Sequence, residues 1–571
     1  MARLILSFGR VKVVRLVVIA VVLTITLIAL LHSRHRSSKP SIYDYTEGRY
    51  TTPWRDWTNK NNGTTARSTE VNFLDHLIKK HSLTNDVTWS ARVVKAHGAG
   101  ANAGRPSVTD VVDKFMPKDF SNVRITDHDL KLPVDRTSPL KLPVAGIGKR
   151  TDVDASALLF GVSTTYSRLI YLDNTLMKEW ERWLTDGNGN SNGASLLVSL
   201  QKSNRKEADW VEERLRSAGV DAIVVLSEGT GETAYVDLVQ KLKDHRVYLS
   251  VKEGGEGGDG KKTAKNYLAL VDDDVFFPAM GKLVSKLAKF SPEEQHYIGA
   301  PCERSDWIIE GDSKKTLTYG GGVVFLTPPM VDRLTQLPCL TNPGAAKTDM
   351  TGEQWDMFLY ECITSHTEID LHVLPSFYNP EAEEAYGEGD RRLLNEGYAS
   401  GVQPLTLHHY RNLHRFEAGK GHAVVNACGE DCFLQRFMFK DNWVLVNGYS
   451  LSHYPDGVDA QALRKEPKKL DDEVDASQQQ QKVVGRRVVV VDGGPSEEEE
   501  VKVIAWAGRK RTWRLLDSRV GEGGEVWQAY IKRRQGGNWF GEGFDGPRGD
   551  NVHAEEERTD RDSVVLLIWQ P

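Results

Sequence analysis

The apolar and polar positions divide this chain into unlike stretches. Leu16 to Leu31 is an unbroken run of sixteen residues without a charge. At 1.5 Å per residue it covers about 24 Å of a ~30 Å hydrocarbon core. Val11 to Arg15 lengthen it, with Lys12 and Arg15 snorkelling to the interface. The run is longer than a signal-peptide core, and the basic His32-Ser-Arg-His-Arg36 follows it where a small-residue cleavage site would lie. The expectation is a retained signal anchor over 16–31 with a cytoplasmic tail over 1–15. Arg3, Arg10, Lys12 and Arg15 before the run, against Arg34, Arg36 and Lys39 after it, tip the N-terminus to the cytoplasmic side. A span this short suits a thin early secretory membrane.

Residues 32–150 read as stem and linker. Arg34 to Arg67 is polar, and Asn62-Gly63-Thr64 is an N-glycosylation sequon that fits a lumenal stem. Residues 95–107 are rich in Gly and Ala and read as flexible, and 108–150 carry no clear pattern. From 151 to 455 the pattern becomes regular. Apolar runs at Ala157–Val162, Ser195–Leu200, Asp221–Leu226 and Tyr267–Val271 predict strands. Helix-compatible segments at 165–184, Lys206–Ala218 and Thr233–Asp244 lie between them. That alternation predicts an α/β domain on a largely parallel sheet.

Residues 456–500 contain Gln478–Gln481 and Glu497–Glu500 and read as a low-complexity linker around one Val-rich strand. Residues 501–571 alternate again and predict a small β unit carrying Trp513, Trp527 and Trp569. Those indoles read as the core of that unit before a sugar-stacking surface.

Composition narrows the classes. Lys+Arg total 73 against 79 Asp+Glu, a net charge of −6, which argues against a nucleic-acid partner. Hydrophobic residues at 40% exclude a chain disordered throughout. Five cysteines without CxxC spacing exclude a disulfide scaffold and a structural zinc ribbon. Cys428 and Cys432 can close a small loop; Cys302, Cys339 and Cys362 then leave one thiol over.

The chemistry concentrates in four segments. Leu268-Ala-Leu-Val271 runs into Asp272, Asp273 and Asp274, and Met280, Leu283, Val284 and Leu287 then recur at helical spacing. Ligands of open α/β sheets bind beyond the carboxyl ends of strands, and adjacent carboxylates there call for a shared cation, with oxygen ligands suiting Mg2+ or Mn2+. Gly320, Gly321 and Gly322 precede an apolar strand and permit close backbone approach to a ligand. Glu353-Gln-Trp-Asp356 opens a helix whose buried face holds Trp355, Phe358, Leu359 and Cys362. His408 and His409 end a short apolar strand.

In this order the segments resemble the Fringe-like β-glycosyltransferases, glycosyltransferase family 31, in its fungal and plant forms. The matching pieces are Leu270–Phe276, Tyr319–Phe325, Asp356–Ile363 and Thr406–Tyr410. The resemblance covers about 151–455. It implies a GT-A, Rossmann-like nucleotide-diphospho-sugar transferase fold, a UDP-sugar donor and a divalent cation, Mn2+ or Mg2+. It places the DxD motif on Asp272-Asp273-Asp274, with Asp273 and Asp274 as metal and sugar contacts. Asp272, Asp273 and the three glycines fall to the donor. It places a metal-ligand histidine on His408 or His409 and the catalytic base on Asp356 or, since the acids here are separated, Glu353. It implies inversion at the sugar and transfer to a glycan or glycoprotein hydroxyl by a type II Golgi membrane enzyme with its catalytic domain in the lumen. The C-terminal β unit lies outside that family's core.

Two rival readings stand beside this one. A metal-dependent phosphatase would open a D-x-D-x-[TV] run at the strand end, and Asp272-Asp-Asp-Val-Phe276 lacks the hydroxyl residue. A non-catalytic carbohydrate-binding membrane protein would use the Trp-rich C-terminus as its surface.

Overall fold

The computed structural model describes Ser68 to Pro571 apart from 100–104, 128, 145–152, 254–263, 301–319, 342–353, 375–396, 400, 402, 409–415, 463–487, 491–501, 507–508, 522 and 535–559. Residues 16–31 lie outside the described part, and no described helix is long and apolar enough to cross a membrane.

The chain is folded well before residue 150. Helix α1 (Thr69–His81) starts at Ser68, whose side chain accepts from the Val71 amide, and ends at Ser82 in the left-handed region. Strands β1 (Asp86–Gly98), β2 (Thr109–Val111), β3 (Ser121–Arg124) and β4 (Asp135–Val144) follow. The expected stem therefore ends by Ser68, and part of the expected 95–107 linker is the end of β1.

The next strands are β5 (Leu158–Thr165), β6 (Ser195–Gln201), β7 (Asp221–Ser227), β8 (Tyr267–Val271), β9 (Tyr297–Ala300), β10 (Gly320–Leu326) and β11 (Leu371–Val373). Between them run α2 (Tyr166–Leu184), α3 (Arg205–Ser217), α4 (Glu232–Glu253), α5 (Met280–Leu287), α6 (Pro338–Thr341) and α7 (Trp355–His366). The predicted strand and helix positions recur here. The helix expected over 165–184 is present but broken, because Leu172, Asp173 and Asn174 are left-handed. Asn204 caps α3 with a full capping box to Glu207, a local signal of the kind that starts helices.

Then come β12 (Arg436–Phe439), β13 (Trp443–Val446), β14 (Ser450–His453), β15 (Val458–Ala462), β16 (Val488–Val490), β17 (Lys502–Trp506), β18 (Arg511–Val520), β19 (Val526–Lys532) and β20 (Asp562–Gln570). Among the described residues one sheet has eight strands in the order β16-β11-β9-β10-β8-β5-β6-β7. Its half around β8, β5, β6 and β7 is parallel, while β10 runs antiparallel to both β8 and β9. The Val-rich strand expected inside the linker is β16, paired with β11.

A second sheet has ten strands, β2-β12-β13-β14-β18-β19-β20-β1-β3, with β4 also on β1. Here the expected boundaries move. Residues 501–571 do not form a separate unit: β20 lies between β19 and β1, with Val87 opposite Asp562 and Val94 opposite Trp569. Strands β12–β14, expected within the α/β domain, belong to this sheet too.

Strands β5, β6 and β8 are buried along nearly their whole length and read as largely apolar runs, whereas β1 and β7 alternate buried with more exposed positions. Leu158, Phe160 and Val162 of β5 and Val565, Leu567 and Trp569 of β20 share one core between the sheets. Leu159, Leu268 and Leu270 point the other way, onto α4 and α7. Val564, Leu566 and Ile568 point to α1. Trp513, Trp527 and Trp569 are all buried, so they supply core and not a sugar-stacking face.

Trp569 is fully buried and its Nε1 donates to Gln528 Oε1 at 2.8 Å. Trp569→Ala should cost about 3–5 kcal/mol, read as a shift of the main denaturation midpoint. A separate minor transition, with the main one unmoved, would restore the independent C-terminal unit.

Candidate functional site

Strand β8 ends at Val271, and Asp272, Asp273 and Asp274 follow at the carboxyl edge of the sheet. The chain turns there, with Val275 N donating to Asp272 O at 3.2 Å, and the three carboxylates separate around the turn. Asp273 turns inward. Its carboxylate accepts from Arg168 Nε at 2.6 Å, and also from the second guanidinium nitrogen and from Thr164 Oγ1. Its backbone carbonyl accepts from Trp180 Nε1 at 3.1 Å. This forked ion pair, hydrogen-bonded directly to Asp273, drives the Arg168 pKa upward against the cost of burial.

Asp272 and Asp274 face a common imidazole. His408 Nε2 lies 3.0 Å from Asp274 Oδ1 and 3.4 Å from Asp272 Oδ2. The structure thus brings Asp272, not the expected Asp273, to the histidine alongside Asp274. His408 is held there by backbone pairing: Phe276 N donates to Leu407 O at 2.9 Å and Leu407 N to Phe276 O at 2.8 Å. His409 lies outside the described residues.

The glycine segment has a steric purpose. Gly320 pairs with Ala300, and the β10–β9 register shifts between Gly320 and Val324. Gly322 adopts φ +75°, and its carbonyl accepts from the Asp272 amide at 2.9 Å. A Cβ on Gly322 would overlap the His408 ring. Any side chain there would push the imidazole off the carboxylates, so glycine is required by close approach as well as by φ.

Asp272 has a second set of partners. Its Oδ1 accepts from Trp355 Nε1 at 2.7 Å and from the Tyr235 hydroxyl at 3.0 Å. The two rings stack at 4.4 Å with 9° between their planes. Trp355 opens α7 and Tyr235 lies on α4, so two helices fix one carboxylate. Asp356, the next residue, stands in the first turn of α7. It is buried, its Oδ1 accepts from the Met357 amide at 2.9 Å, and its charge adds to the burial that raises the Tyr297 pKa. Asp356 therefore lies next to the residue that holds Asp272. Glu353 lies outside the described residues.

Electrostatics follow from the crowding. Burial pushes Asp272 up to about 6, with Asp274 and Asp273 adding to the rise while His408 and Trp355 oppose it. Burial works against a charge on His408, but Asp274 first and then Asp272 outweigh it and raise its pKa. The His408 ring thus lies between the two carboxylates. Two carboxylates flanking one imidazole nitrogen are donor types that suit Mn2+ or Mg2+. Asp272, Asp274 and His408 would hold that cation.

Four contributors were not singled out in the sequence: Thr164, Arg168, Trp180 and Tyr235. Thr164 and Arg168 could have been found, since they stand at the carboxyl end of a predicted strand, where such sites form. Tyr235 carried no local signal.

No known protein-family pattern matches the chain, and no curated protein matches it either. Among solved structures, galactosyltransferase LgtC in complex with donor and acceptor sugar analogs is similar at 11% identity and a TM-score of 0.27, covering 44% of this chain and 86% of that one. The apo form of glycosyltransferase GlyE from Streptococcus pneumoniae is similar at 13% and 0.26, covering 44% and 54%. S. aureus TarS 1–349 in complex with UDP is similar at 11% and 0.23, covering 40% and 62%. Likenesses this slight say nothing of what this chain binds or does.

Two outcomes are expected of the site. Gly322→Ala should displace His408 and weaken Mn2+ binding by about tenfold or more, measured by calorimetry on protein whose circular dichroism is unchanged; parent-like affinity would contradict the close-approach argument. The second concerns pH. His408 and Asp272 both keep their protons to higher pH than free side chains do, and a cation must displace those protons. Cation affinity should therefore rise from about pH 5 to about pH 8. A flat profile would mean that these groups are not the ligands.

Proposed function

We propose that this chain is a glycosyltransferase of the Fringe-like, GT-A type. It transfers a sugar from a UDP-sugar to a hydroxyl of a glycan or glycoprotein, with inversion. The observation that carries this reading is the meeting of Asp272 and Asp274 with His408 Nε2 at the carboxyl end of β8, packed against Gly322. Oxygen and imidazole donors at a strand end are the chemistry expected where a diphosphate must be neutralised. A divalent cation bound there supplies positive charge against the diphosphate leaving group.

The chain's own residues would do the rest. Arg168 and Thr164 hold Asp273 back, so that its neighbours present one face to the donor. Trp355 and Tyr235 fix the rotamer of Asp272. The acceptor oxygen forms its bond to the anomeric carbon as the bond to the diphosphate breaks, and its proton passes to a carboxylate. Asp356 is the proposed base and Glu353 the alternative; Asp356 lies in the first turn of α7, whose Trp355 touches Asp272. One displacement by one nucleophile inverts the configuration.

The test is UDP-sugar hydrolysis and transfer across UDP-Gal, UDP-Glc, UDP-GlcNAc and UDP-GalNAc. Asp274→Ala should abolish donor use, and a chelator should do so reversibly. Full activity of Asp274→Ala in excess chelator would sink the reading. Asp356→Asn should lower turnover about 10²–10⁴-fold, typical of a lost general base, with donor affinity little changed. If Glu353→Gln alone collapses the rate, the base lies three residues earlier.

Residues 16–31 are proposed to anchor the chain in the Golgi membrane with its catalytic part in the lumen. The uncharged run and its basic flank support this. Sealed microsomes should shield residues 40–571 from protease until detergent is added; digestion without detergent would reverse the topology.

A further inference from the structure

A second group of ligand-type atoms lies on the far end of α7, apart from the carboxylate site. Cys339 of α6 and Cys362 of α7 form a disulfide with Cα atoms 5.9 Å apart. His366, one helical turn beyond Cys362, places Nδ1 3.9 Å from Cys339 Sγ. The two sulfurs and this nitrogen all lie within 4.8 Å of one another. Both cysteines are buried, whereas His366 is exposed and gives the group an opening to solvent.

We propose that the reduced form of this chain binds Zn2+, or another thiophilic divalent cation, through Cys339, Cys362 and His366. Two sulfurs on one tetrahedral zinc stand about 3.8 Å apart, and a sulfur and a nitrogen about 3.6 Å. The Cys339–His366 separation is already near the second value, and the sulfurs need only part from bonding distance. Cys362 and His366 are i, i+4 on one helix, so their side chains share a face and converge without backbone change. His366 Nδ1 also lies 3.0 Å from the Cys362 carbonyl. As a ligand it gives up that hydrogen bond and carries its proton on Nε2, toward solvent.

The chemistry balances with a dithiol as reductant. Two electrons from the dithiol break the sulfur–sulfur bond, leaving Cys339 and Cys362 as thiols and the dithiol as a disulfide. The cation then displaces both thiol protons, which pass to solvent. In an oxidising compartment the disulfide is the resting state, and the metal form belongs to the reduced chain. Either bond ties α6 to α7, the helix whose first residue holds Asp272. The cation would thus preserve the tether when the disulfide is lost. This inference is independent of the sugar-transfer reading.

The test uses the full chain, reduced by a phosphine that leaves no competing thiol and titrated anaerobically with Co2+ as a spectroscopic probe. The reduced protein should develop thiolate-to-cobalt charge-transfer absorption together with the visible bands of tetrahedral Co2+, and Zn2+ should displace both. The oxidised protein should show neither, and the carboxylate site cannot supply a thiolate band. Cys339→Ser should remove the absorption, whereas Cys428→Ser should leave it. His366→Gln keeps both sulfurs and should weaken binding by at least the roughly 10–100-fold that losing a mere supporting contact costs. No thiolate band in the reduced chain, or a band that survives Cys339→Ser, would overturn the proposal. If Cys339→Ser does not fold, unchanged affinity in His366→Gln overturns it instead.

Discussion

Three consecutive carboxylates at one strand end repel one another, and the site is organised around relieving that repulsion. Asp273 is withdrawn and neutralised by Arg168. Asp272 and Asp274 are left facing the other way with His408 between them. Each relief depends on a different layer of the fold. Arg168 comes from the first turn after β5, Trp355 and Tyr235 from two helices behind the sheet, and His408 from a segment pinned by the Phe276–Leu407 bridge. Gly322 completes the arrangement by leaving room for the imidazole. The glycine strand and the acidic strand end are thus one device, coupled through the ring they both contact.

Much of the α/β part was legible in the sequence, because β5 to β8 are short apolar runs bounded by caps and turns, a signal carried within each segment. The second sheet was not. Val87, Trp89, Ala91 and Val93 alternate toward α1, but nothing local says that their strand pairs with residues 562–570. Register over that separation is decided by which strands remain to be covered, a property of the assembled sheet. The tryptophans of the C-terminal stretch were read correctly as core, although the core they fill is not their own.

The site was legible in its residue types and less so in its roles. The Asp triplet, the glycines and His408 are all visible as candidates, and the structure brings Gly322 and His408 to the triplet. The order of consecutive aspartates says nothing of which one turns inward; that follows from the turn they form together with a cation, Arg168, on one side of it. Asp356 shows the same limit. Its place in the first turn of α7 was predicted, while the contact of the neighbouring Trp355 with Asp272 was not.

The parallel pairing of β1 with β20 has a consequence for synthesis. Val87 meets its partner Asp562 only after the intervening segment, with β5 to β19, has been made. Until then one edge of β1 has no strand to pair with, although α1 already covers one of its faces, whereas β5 to β8 can assemble as soon as they emerge. Contacts this distant in sequence are slow to form, and an uncovered strand edge invites wrong partners. The nascent chain therefore exposes the edge of β1 until β20 has been made, and synthesis that stops before residue 562 releases a chain with the β5–β8 strands paired and an open seam beside β1.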